Sequence, residues 1–227
     1  MKRDKQVVNL VRTSDAAMLI LAAHPSSDEA TKLSPPLTPE QAFALHEAFL
    51  RDLVELSMDS PIAARFLCYW PPDSRDWFNA NFAGIDLVQQ RGDGPGERLS
   101  HAFEQILTIG YTPVIAVRAD YPDLPPDVIT EAIGLLASCD LVLGPSTHGD
   151  YYLLALNEPA PELFRRVDWS KPGSRCKQVL AHARKLGMAA SVMDEWHVVH
   201  DARGLQTLRE SNTLRTYSKA ALAETGG

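Results

Sequence analysis

The sequence predicts an α/β fold with a mostly parallel sheet, and three observations lead to that class. Short apolar runs alternate along the chain with amphipathic stretches, as strands and helices do in layered α/β domains. The runs lack polar alternation, so helices are expected to cover both faces of the sheet. The chain has 227 residues, 45% of them apolar, which is enough for one domain with a single core at roughly 150 residues per domain.

Seven apolar runs of strand length mark the expected strands. The first reads MLILAA over residues 18–23, and the fourth reads PVIAV over residues 113–117. Continuous runs of this kind are typical of strands that are buried on both faces. The other five runs are residues 62–69, 85–89, 141–143, 151–156 and 189–193.

Helix start and stop signals lie between these runs. Thr38, Pro39 and Gln41 form a predicted capping box, with the hydroxyl at the N-cap and proline at the first helical position. Gly187 is a predicted C-terminal stop, and Asp201 is a candidate N-cap for the last helix. The intervening helices are expected over residues 96–107, from about residue 126 onward, and over residues 174–186.

Two long connections and both chain ends stand outside this pattern. Residues 24–37 and 71–84 are predicted loops, longer than the roughly 2–6 residues usual in α/β units, and long loops are often functional. The domain is expected to span residues 17–209. Residues 1–16 and 210–227 are polar without a strong period, so they are predicted to be terminal extensions that fray or are disordered.

Composition and charge exclude several functions. The 22 basic and 29 acidic side chains give a net charge of −7, without the basic stripe expected of a nucleic-acid-binding protein. The longest apolar run, residues 16–23, is far shorter than the roughly 18 residues that a membrane span needs. Cys68, Cys139 and Cys176 form no CxxC pair, so neither a disulfide framework nor a zinc site is indicated, and a cytoplasmic location is expected.

The first candidate site directly follows the fourth predicted strand. Asp120 and Asp123 lie in the segment RADYPDLP, and ligands of open α/β sheets bind outside the carboxyl ends of strands. Carboxylates are the hard oxygen donors that Mg²⁺ or Mn²⁺ prefers, and such a metal would offset charge on a leaving phosphate. The alternative is structural: Asp123 begins a turn or caps the next helix, and Asp120 binds only backbone amides.

A glycine-rich segment, QRGDGPGER over residues 90–98, precedes a predicted helix. Glycines let the backbone approach a ligand closely, and a helix N-terminus favours an anion. The segment matches neither a P-loop nor a GxGxxG fingerprint. A plain turn before a helix is the alternative interpretation.

Histidine and aspartate occur together in two further segments. The segment LGPSTHGDYYL contains His148 and Asp150, which are candidates for binding metal or substrate hydroxyls and for moving a proton. The segment EWHVVHD contains His200 and Asp201, a candidate metal-binding pair. The alternatives are solvent-exposed histidines and an N-cap role for Asp201.

Six segments, taken in order, resemble one known family. The chain reads LSPPLTPEQAFALHEAFLRDLVE, QRGDGPGERLSHAF, RADYPDLP, LGPSTHGDYYLLAL, VDWSKPGSR and DEWHVVHDARGL. The corresponding family patterns are KAPxPGxxKTRL, QxGGDLGERM, GSDCPDL, LGPAxDGGYYLIGL, a W-S segment and EWxDVDTPEDL. Over residues 17–209 the chain therefore resembles the bacterial GT-A-fold nucleotide-diphospho-sugar transferase-like family, first described as a domain of unknown function and later called a glycosyltransferase family.

The resemblance implies a single three-layer α/β/α, Rossmann-like domain that binds a nucleotide, with Mg²⁺ or Mn²⁺ as cofactor. The implied metal ligands are Asp120 and His200, and the implied catalytic residues are Asp150 and His148. The residues expected to bind the nucleotide are Lys32, Asp93, Glu97, Arg98 and Asp120. The residues expected to bind substrate are Asp123, Tyr151, Trp169 and Ser170.

The chain departs from the family pattern at three motifs. Where the family has KTRL, residues 30–33 read ATKL, so a single lysine keeps a cation in the first loop. At the DGG turn, His148 replaces the aspartate and Asp150 replaces the second glycine. At the DVD segment, Val198 and His200 replace the two aspartates. These changes imply either an altered donor preference or a loss of catalysis.

Three functions remain open. The first is a metal-dependent glycosyltransferase that moves a sugar from a nucleotide diphosphate to a small-molecule acceptor, with Lys32 and Arg98 offsetting phosphate charge. The second is a nucleotidyltransferase that joins a nucleoside triphosphate to a phosphorylated small molecule. The third is a catalytically degenerate binding protein. Trp77, Phe78 and Phe82 are expected to form either a homodimer interface or a lid over the acceptor.

Overall fold

The computed structural model describes residues 15–27 and 32–225 of the chain. Over these residues, seven strands form one sheet, and helices pack on both of its faces. The strands are β1 (Ala17–Ala23), β2 (Ala64–Trp70), β3 (Asp86–Gln89), β4 (Val114–Arg118), β5 (Leu141–Pro145), β6 (Tyr151–Leu156) and β7 (Ala190–Val192). The α-helices are α1 (Pro39–Met58), α2 (Arg75–Asn81), α3 (Pro95–Thr108), α4 (Val128–Leu136), α5 (Pro161–Arg165), α6 (Arg175–Lys185), α7 (Ala202–Arg209) and α8 (Thr216–Glu224).

The strands lie in the order β3-β2-β1-β4-β6-β5-β7. Strand β6 is antiparallel to both β4 and β5, and all the other paired strands are parallel. The predicted mostly parallel sheet is confirmed, and each strand agrees with its predicted run within two residues at either end. Because β2 and β3 lie on one side of β1 and β4 lies on the other, the winding reverses between β1 and β4. A crevice for ligands is expected at the carboxyl ends of strands at such a switch point.

The residues of β1 alternate between the two faces of the sheet, as the period of a strand requires. Met18 and Ile20 belong to an apolar cluster with residues of α1, α2 and α4. Leu19 belongs to a second cluster with residues of α3, α5 and α6. Helices therefore cover both faces, which is why the strand runs contain almost no polar residues and why the predicted three-layer α/β/α domain is confirmed.

The helix ends follow the capping signals in the sequence. The backbone N–H of Gln41 donates to Oγ1 of Thr38 at 3.2 Å, and Oε1 of Gln41 accepts from the N–H of Thr38 at 3.0 Å, which completes the predicted capping box of α1. Oδ1 of Asp201 accepts from the N–H of Gly204 at 2.7 Å and caps α7. Gly187, two residues after α6, has a φ of 73°, which suits a glycine stop.

The prediction of a loop over residues 71–84 is wrong, because this segment contains a 3₁₀ turn and then α2. Phe78 and Phe82 are buried in the core, and Trp77 packs against them at ring-centroid distances of 5.0 and 5.8 Å. The segment was too short for its helical periodicity to be recognised. Because Phe78 and Phe82 are buried in the core, the homodimer interface or acceptor lid stays a prediction only for the half-buried Trp77.

The C-terminal region also differs from its prediction. Residues 216–224 form α8, which packs against α1 with Leu222 buried. The two carboxylate oxygens of buried Asp52 in α1 accept the N–H groups of Tyr217 at 2.9 Å and Ser218 at 2.7 Å. The prediction of a frayed extension is therefore wrong for residues 216–224, because a buried carboxylate on α1 binds the first turn of this helix. Residues 1–14 and 226–227 lie outside the described residues.

Replacing Asp52 with alanine is expected to lower the free energy of unfolding by about 1–3 kcal/mol, because two N–H groups of α8 lose their acceptor. Urea denaturation measures the loss, and amide hydrogen exchange of residues 216–224 should accelerate. Asp59→Ala is the matched control, since Arg215, at 3.3 Å, is the one ion-pair partner of this exposed carboxylate among the described residues, and surface changes usually stay within about 0.5 kcal/mol. Equal stabilities of the two variants would contradict the anchoring role of Asp52.

Two further expectations concern the cysteines and the membrane. Cys68 and Cys176 are buried, Cys139 is half-buried, and all three are free thiols, as their spacing predicted. Burial raises the pKa of both Cys68 and Cys176 to about 12, so neither thiol is a reactive thiolate at neutral pH.

Among the residues described, no helix has the length and apolar character needed to cross a bilayer.

Candidate functional site

A partly open cavity of about 260 Å³ lies at the switch point of the sheet. Its walls include the last residues of β1, β2 and β4, where ligands of parallel α/β sheets bind. The charged residues that line it are Lys32, Arg98, Arg118, Asp120, Asp150 and Arg175. Among the described residues, four cations and two anions surround this cavity in a protein whose net charge is −7, so basic charge is concentrated here.

Two arginines and two aspartates in this cavity form a continuous ion-pair network, here called the arginine–aspartate network. Arg118 donates from Nε to Oδ1 of Asp120 at 3.0 Å and from Nη2 to Oδ2 of Asp120 at 2.7 Å. The same guanidinium donates from Nη1 to Oδ2 of Asp150 at 2.8 Å. Arg175 donates from Nη1 to that same oxygen at 2.7 Å. Asp150 therefore joins the two guanidinium groups.

Local structure explains why these four side chains meet. Arg118 ends β4, and Asp120 follows two residues later in the turn after the strand, within reach of the Arg118 guanidinium. Asp150 follows Gly149, whose φ of 78° turns the chain into β6. Arg175 begins α6, and Cys176 donates its N–H to the carbonyl of Gly149 at 3.2 Å, which fixes the two segments together.

The ion pairs of the arginine–aspartate network favour the charged forms of Asp120 and Arg118. Burial alone would raise the pKa of Asp120, but the adjacent Arg118 outweighs burial and lowers that pKa below its usual value. Burial would lower the pKa of Arg118, yet Asp120 and Asp150 raise it well above the usual value. Asp120 is therefore an ionised partner of Arg118 at neutral pH rather than a group that takes up a proton.

Aromatic side chains form a second part of the cavity wall. The guanidinium of Arg98 lies 4.2 Å from the ring centroid of Trp70, a cation–π contact. Trp169 donates from Nε1 to the carbonyl of Phe164 at 3.0 Å, and its own carbonyl accepts from Arg175 Nε at 3.0 Å. Flat aromatic faces beside cations suit a ligand that has both a planar ring and an anionic group.

Three histidines also line the cavity. The rings of His148 and His200 are 5.2 Å apart in an edge-to-face arrangement. His148 is exposed, and its Nδ1 lies 3.2 Å from Oγ1 of Thr147. Nε2 of His46, on α1, lies 3.3 Å from the carbonyl of Ala23. Of the three, His46 is buried and His148 is exposed, so His148 is the imidazole most accessible to a ligand in the cavity.

The predicted metal ligands Asp120 and His200 line the same cavity but do not form a metal site. The N–H of Val199, the residue before His200, donates to the carbonyl of Asp120 at 2.9 Å. Both carboxylate oxygens of Asp120, however, accept hydrogen bonds from Arg118. Within residues 15–27 and 32–225, no three or more His, Cys, Asp or Glu side chains are grouped to hold a metal ion. The donors therefore do not fit a metal while Arg118 holds Asp120.

Eight of the predicted site residues line the cavity. Lys32 contributes from the first loop, of which residues 28–31 lie outside the described chain. Asp150 has one oxygen bound by two arginines and the other bound by the N–H of Tyr151 at 3.0 Å, which favours an orienting role over proton transfer. The other predicted residues in the lining are Arg98, Asp120, His148, Tyr151, Trp169 and His200.

The prediction that Asp123 binds substrate is wrong, because its side chain is 0% exposed and does not line the cavity. Trp196 donates from Nε1 to its Oδ1 at 3.1 Å, and Nε2 of His197 lies 3.1 Å from its Oδ2. Burial raises the pKa of Asp123, but contacts with His197, Ser211 and Trp196 outweigh burial and leave that pKa lowered. Asp123 is thus a structural anion that holds the segment before α7.

Three further predicted residues lie outside the cavity lining. The exposed carboxylate of Glu97 accepts the N–H of Asp93 at 2.9 Å, which closes the glycine-rich turn and accords with the structural alternative for that segment. Ser170 is exposed and donates from Oγ to Oδ1 of Asp168 at 2.5 Å. Because Asp93, Glu97 and Ser170 do not line the cavity, nucleotide or substrate contacts by them stay predictions.

The lining residues that the sequence interpretation missed include Arg118, Arg175, Trp70 and His46. Arg118 and Arg175 were present in the quoted segments RADYPDLP and VDWSKPGSR. The available signal was that Arg118 stands where the family pattern GSDCPDL has its glycine, so a cation appears beside the site aspartate. Trp70 and His46 carried no comparable local signal, because only the fold brings α1 and β2 to the cavity.

A Rossmann-like α/β/α domain with a cationic cavity at the switch point of its sheet defines the class of protein. The comparisons then place the chain within that class. A family model matches residues 54–171, and the chain belongs to that family, which is described as uncharacterized proteins conserved in bacteria (DUF2064). A search of the curated proteins finds no match to this sequence.

Solved structures with the same fold include three informative neighbours. A proposed nucleotide-diphospho-sugar transferase from Desulfovibrio desulfuricans G20 is 23% identical over 93% of this chain and 95% of that chain, with a TM-score of 0.85. CMP:2-keto-3-deoxy-manno-octonic acid synthetase complexed with CTP is 16% identical over 87% and 98%, with a TM-score of 0.54. Rv0371c from Mycobacterium tuberculosis H37Rv in complex with manganese is 13% identical over 86% and 98%, with a TM-score of 0.52. These likenesses establish the GT-A-like fold.

Proposed function

We propose that this protein is a transferase that binds the diphosphate of a nucleotide sugar in the cavity and moves the sugar to a small-molecule acceptor. The single observation that carries the proposal is the group of four cationic side chains, Lys32, Arg98, Arg118 and Arg175, around one cavity at the switch point. Guanidinium groups are the preferred partners of phosphate oxygens in proteins. A likeness in fold to structures that are described with nucleotides agrees with this ligand class.

The charge of the cavity matches such a ligand. Among the described residues, the four cationic side chains and two carboxylates of the lining sum to a charge of +2. The two phosphoryl groups of a nucleotide sugar carry about one negative charge each. Trp70, with Arg98 stacked on it, offers a planar surface for a base, and the nearby N-terminus of α3 favours an anion.

The chemistry assigned to the residues is mainly positioning and charge stabilisation. An acceptor hydroxyl attacks the anomeric carbon of the donor sugar, and the bond from that carbon to the diphosphate oxygen breaks. Arg118 and Arg175 stabilise the charge on the departing diphosphate, and Asp150 holds both guanidinium groups in place. The proton of the acceptor passes to the imidazole of His148. A cytoplasmic location, which suits free buried cysteines, completes the proposal.

A nucleotidyltransferase is the second candidate, and a specific observation favours it. Neighbours in fold include the synthetase complexed with CTP and a 4-diphosphocytidyl-2C-methyl-D-erythritol synthase with a TM-score of 0.50. In that reaction a phosphate oxygen of the acceptor would attack the α-phosphorus of a nucleoside triphosphate, and pyrophosphate would leave. Release of pyrophosphate from a nucleoside triphosphate would replace the first proposal with this one.

Nucleotide binding is tested by thermal unfolding with UDP, GDP, CDP and dTDP and with their sugars. At about 100 times the Kd, one ligand should add about 2.7 kcal/mol of stability and raise the Tm by roughly 5–10 °C.

Arg98→Ala should weaken binding about tenfold, because the cation above Trp70 is lost.

Arg184→Ala is the matched control, because it removes the same charge from an exposed position on α6 outside the cavity. It should bind as the unchanged chain does. No Tm shift with any of these nucleotides would refute the proposed function and leave the degenerate binding protein as the remaining interpretation. Equal weakening by both variants would refute a specific role for Arg98.

A further inference from the structure

We propose that the guanidinium of Arg118 takes the place of a divalent cation in this cavity, so that a nucleoside diphosphate binds without a metal. This inference rests on the proposed function and adds to it how the diphosphate charge is neutralised. It departs from the metal ligation that the sequence led us to expect at Asp120 and His200.

The first observation is the pairing of Asp120. Both of its carboxylate oxygens accept hydrogen bonds from Arg118, at 3.0 and 2.7 Å, in the parallel two-bond arrangement that is strongest between these groups. The pair is formed by residues two apart in the chain, so little loop entropy opposes it. A metal ion on Asp120 would have to displace this guanidinium or bind beside it.

The second observation is that a metal ion could not displace Arg118 from Asp120 without breaking other contacts of Arg118. Arg118 is also bound to Asp150, whose same oxygen holds Arg175, so moving Arg118 breaks three ion-pair hydrogen bonds. Binding beside Arg118 would set a divalent cation next to a guanidinium, and repulsion grows with the product of the charges. Both routes disfavour a metal on Asp120.

The third observation is the hydrogen-bonding capacity that remains. A guanidinium has five N–H donors. Three N–H groups of Arg118 bind the two aspartates, and three of Arg175 bind Asp150 and the carbonyl of Trp169, which leaves two on each without a partner among the described residues. Both arginines line the cavity, so these donors are available to phosphoryl oxygens.

The charge of the lining supports the same conclusion. Counted over the described residues, its four cations and two carboxylates sum to +2, which offsets most of the roughly three negative charges of a nucleoside diphosphate. A chain with glycine at position 118 would have one cation fewer and an unpaired carboxylate at Asp120, which is the arrangement that calls for a metal. Arg118 therefore supplies both the missing charge and the partner of Asp120.

Isothermal titration calorimetry with UDP, GDP, CDP and dTDP, in EDTA and separately in Mn²⁺, tests the inference on the unchanged chain. We expect at least one nucleotide to bind with Kd values that agree within about threefold in the two conditions. Binding only in Mn²⁺ would overturn the inference and leave the proposed function standing. Absence of binding in both conditions would overturn the proposed function itself.

A substitution of Arg118 tests the converse case, in which the guanidinium is removed and Asp120 is released. Arg118→Gly should bind the same nucleotide at least tenfold more weakly in EDTA, and Mn²⁺ should restore much of the loss because Asp120 is released. Arg166→Gly, at an exposed position outside the cavity, should bind equally in both conditions. If Arg118→Gly binds as tightly as the unchanged chain in EDTA, the inference is wrong. Should the variant fail to fold, the titration of the unchanged chain still decides the question.

Discussion

Asp150→Ala is expected to lower the free energy of unfolding by about 3–5 kcal/mol. Oδ2 of Asp150 accepts from Arg118 at 2.8 Å and from Arg175 at 2.7 Å, and the Asp150 side chain is only 10% exposed. Removing one partner of a buried ion pair leaves the other charge desolvated and uncompensated, which costs about that amount. Arg175 loses its only carboxylate among the described residues, and the N–H of Tyr151 loses an acceptor.

Urea denaturation at neutral pH measures this loss. Glu162→Ala is the matched control, because it breaks a carboxylate–arginine pair with Arg165 at 2.6 Å in which both side chains are largely exposed. Exposed pairs contribute less than about 1 kcal/mol, so the control should remain close to the unchanged chain. If the two variants lose the same stability, the arginine–aspartate network is not the buried ion-pair system described above.

Gly149→Ala is expected to cost about 2–5 kcal/mol for two reasons. Its φ of 78° lies in the left-handed region, which costs a residue with a Cβ roughly 1–2 kcal/mol. A methyl group would also overlap the carbonyl oxygen of Gly173, a backbone atom that cannot rotate away, and such overpacking costs about 1–3 kcal/mol. Because residues 172–174 lead directly into Arg175, displacement of this segment should also weaken the proposed nucleotide binding.

Gly134→Ala is the control, because it shows the effect of a glycine-to-alanine substitution where neither a positive φ nor a steric overlap applies. Gly134 lies within α4, has no atom within 4 Å of the position of a Cβ, and has no positive φ. Gly134→Ala should therefore leave stability unchanged or raise it by up to about 1 kcal/mol, through helix propensity alone. Thermal or urea unfolding of both variants decides the matter, and a Gly149→Ala protein as stable as Gly134→Ala would contradict the close approach of Gly149 to Gly173.

Local signals in the sequence predicted most of the fold. Apolar runs located all seven strands of the sheet because both faces are covered, and the Thr38 capping box located the start of α1 because its bonds are made within four residues. The antiparallel direction of β6 was not predictable in this way, since direction depends on pairing with β4 and β5. Helix α8 was missed because its anchor, Asp52, is more than a hundred residues away.

The candidate site was only partly predictable, for the same physical reason. The motifs located Asp120, Asp150 and His200 at one cavity, but the bonds among Arg118, Asp150 and Arg175 join residues 25 and 32 positions apart. Sequence spacing also cannot distinguish Asp120 from Asp123. The first lines the cavity and the second is buried against Trp196, because the chain turns between them.

The packing of α8 against α1 has a consequence for how this protein is produced. A recombinant chain cut at residue 209 would lose the cover over the apolar side of α1 that Leu45 and Phe49 share with Leu222. Uncovered apolar side chains promote aggregation during expression. Since α1 also carries His46 to the cavity, such a truncation would leave uncovered a helix that contributes to the cavity wall.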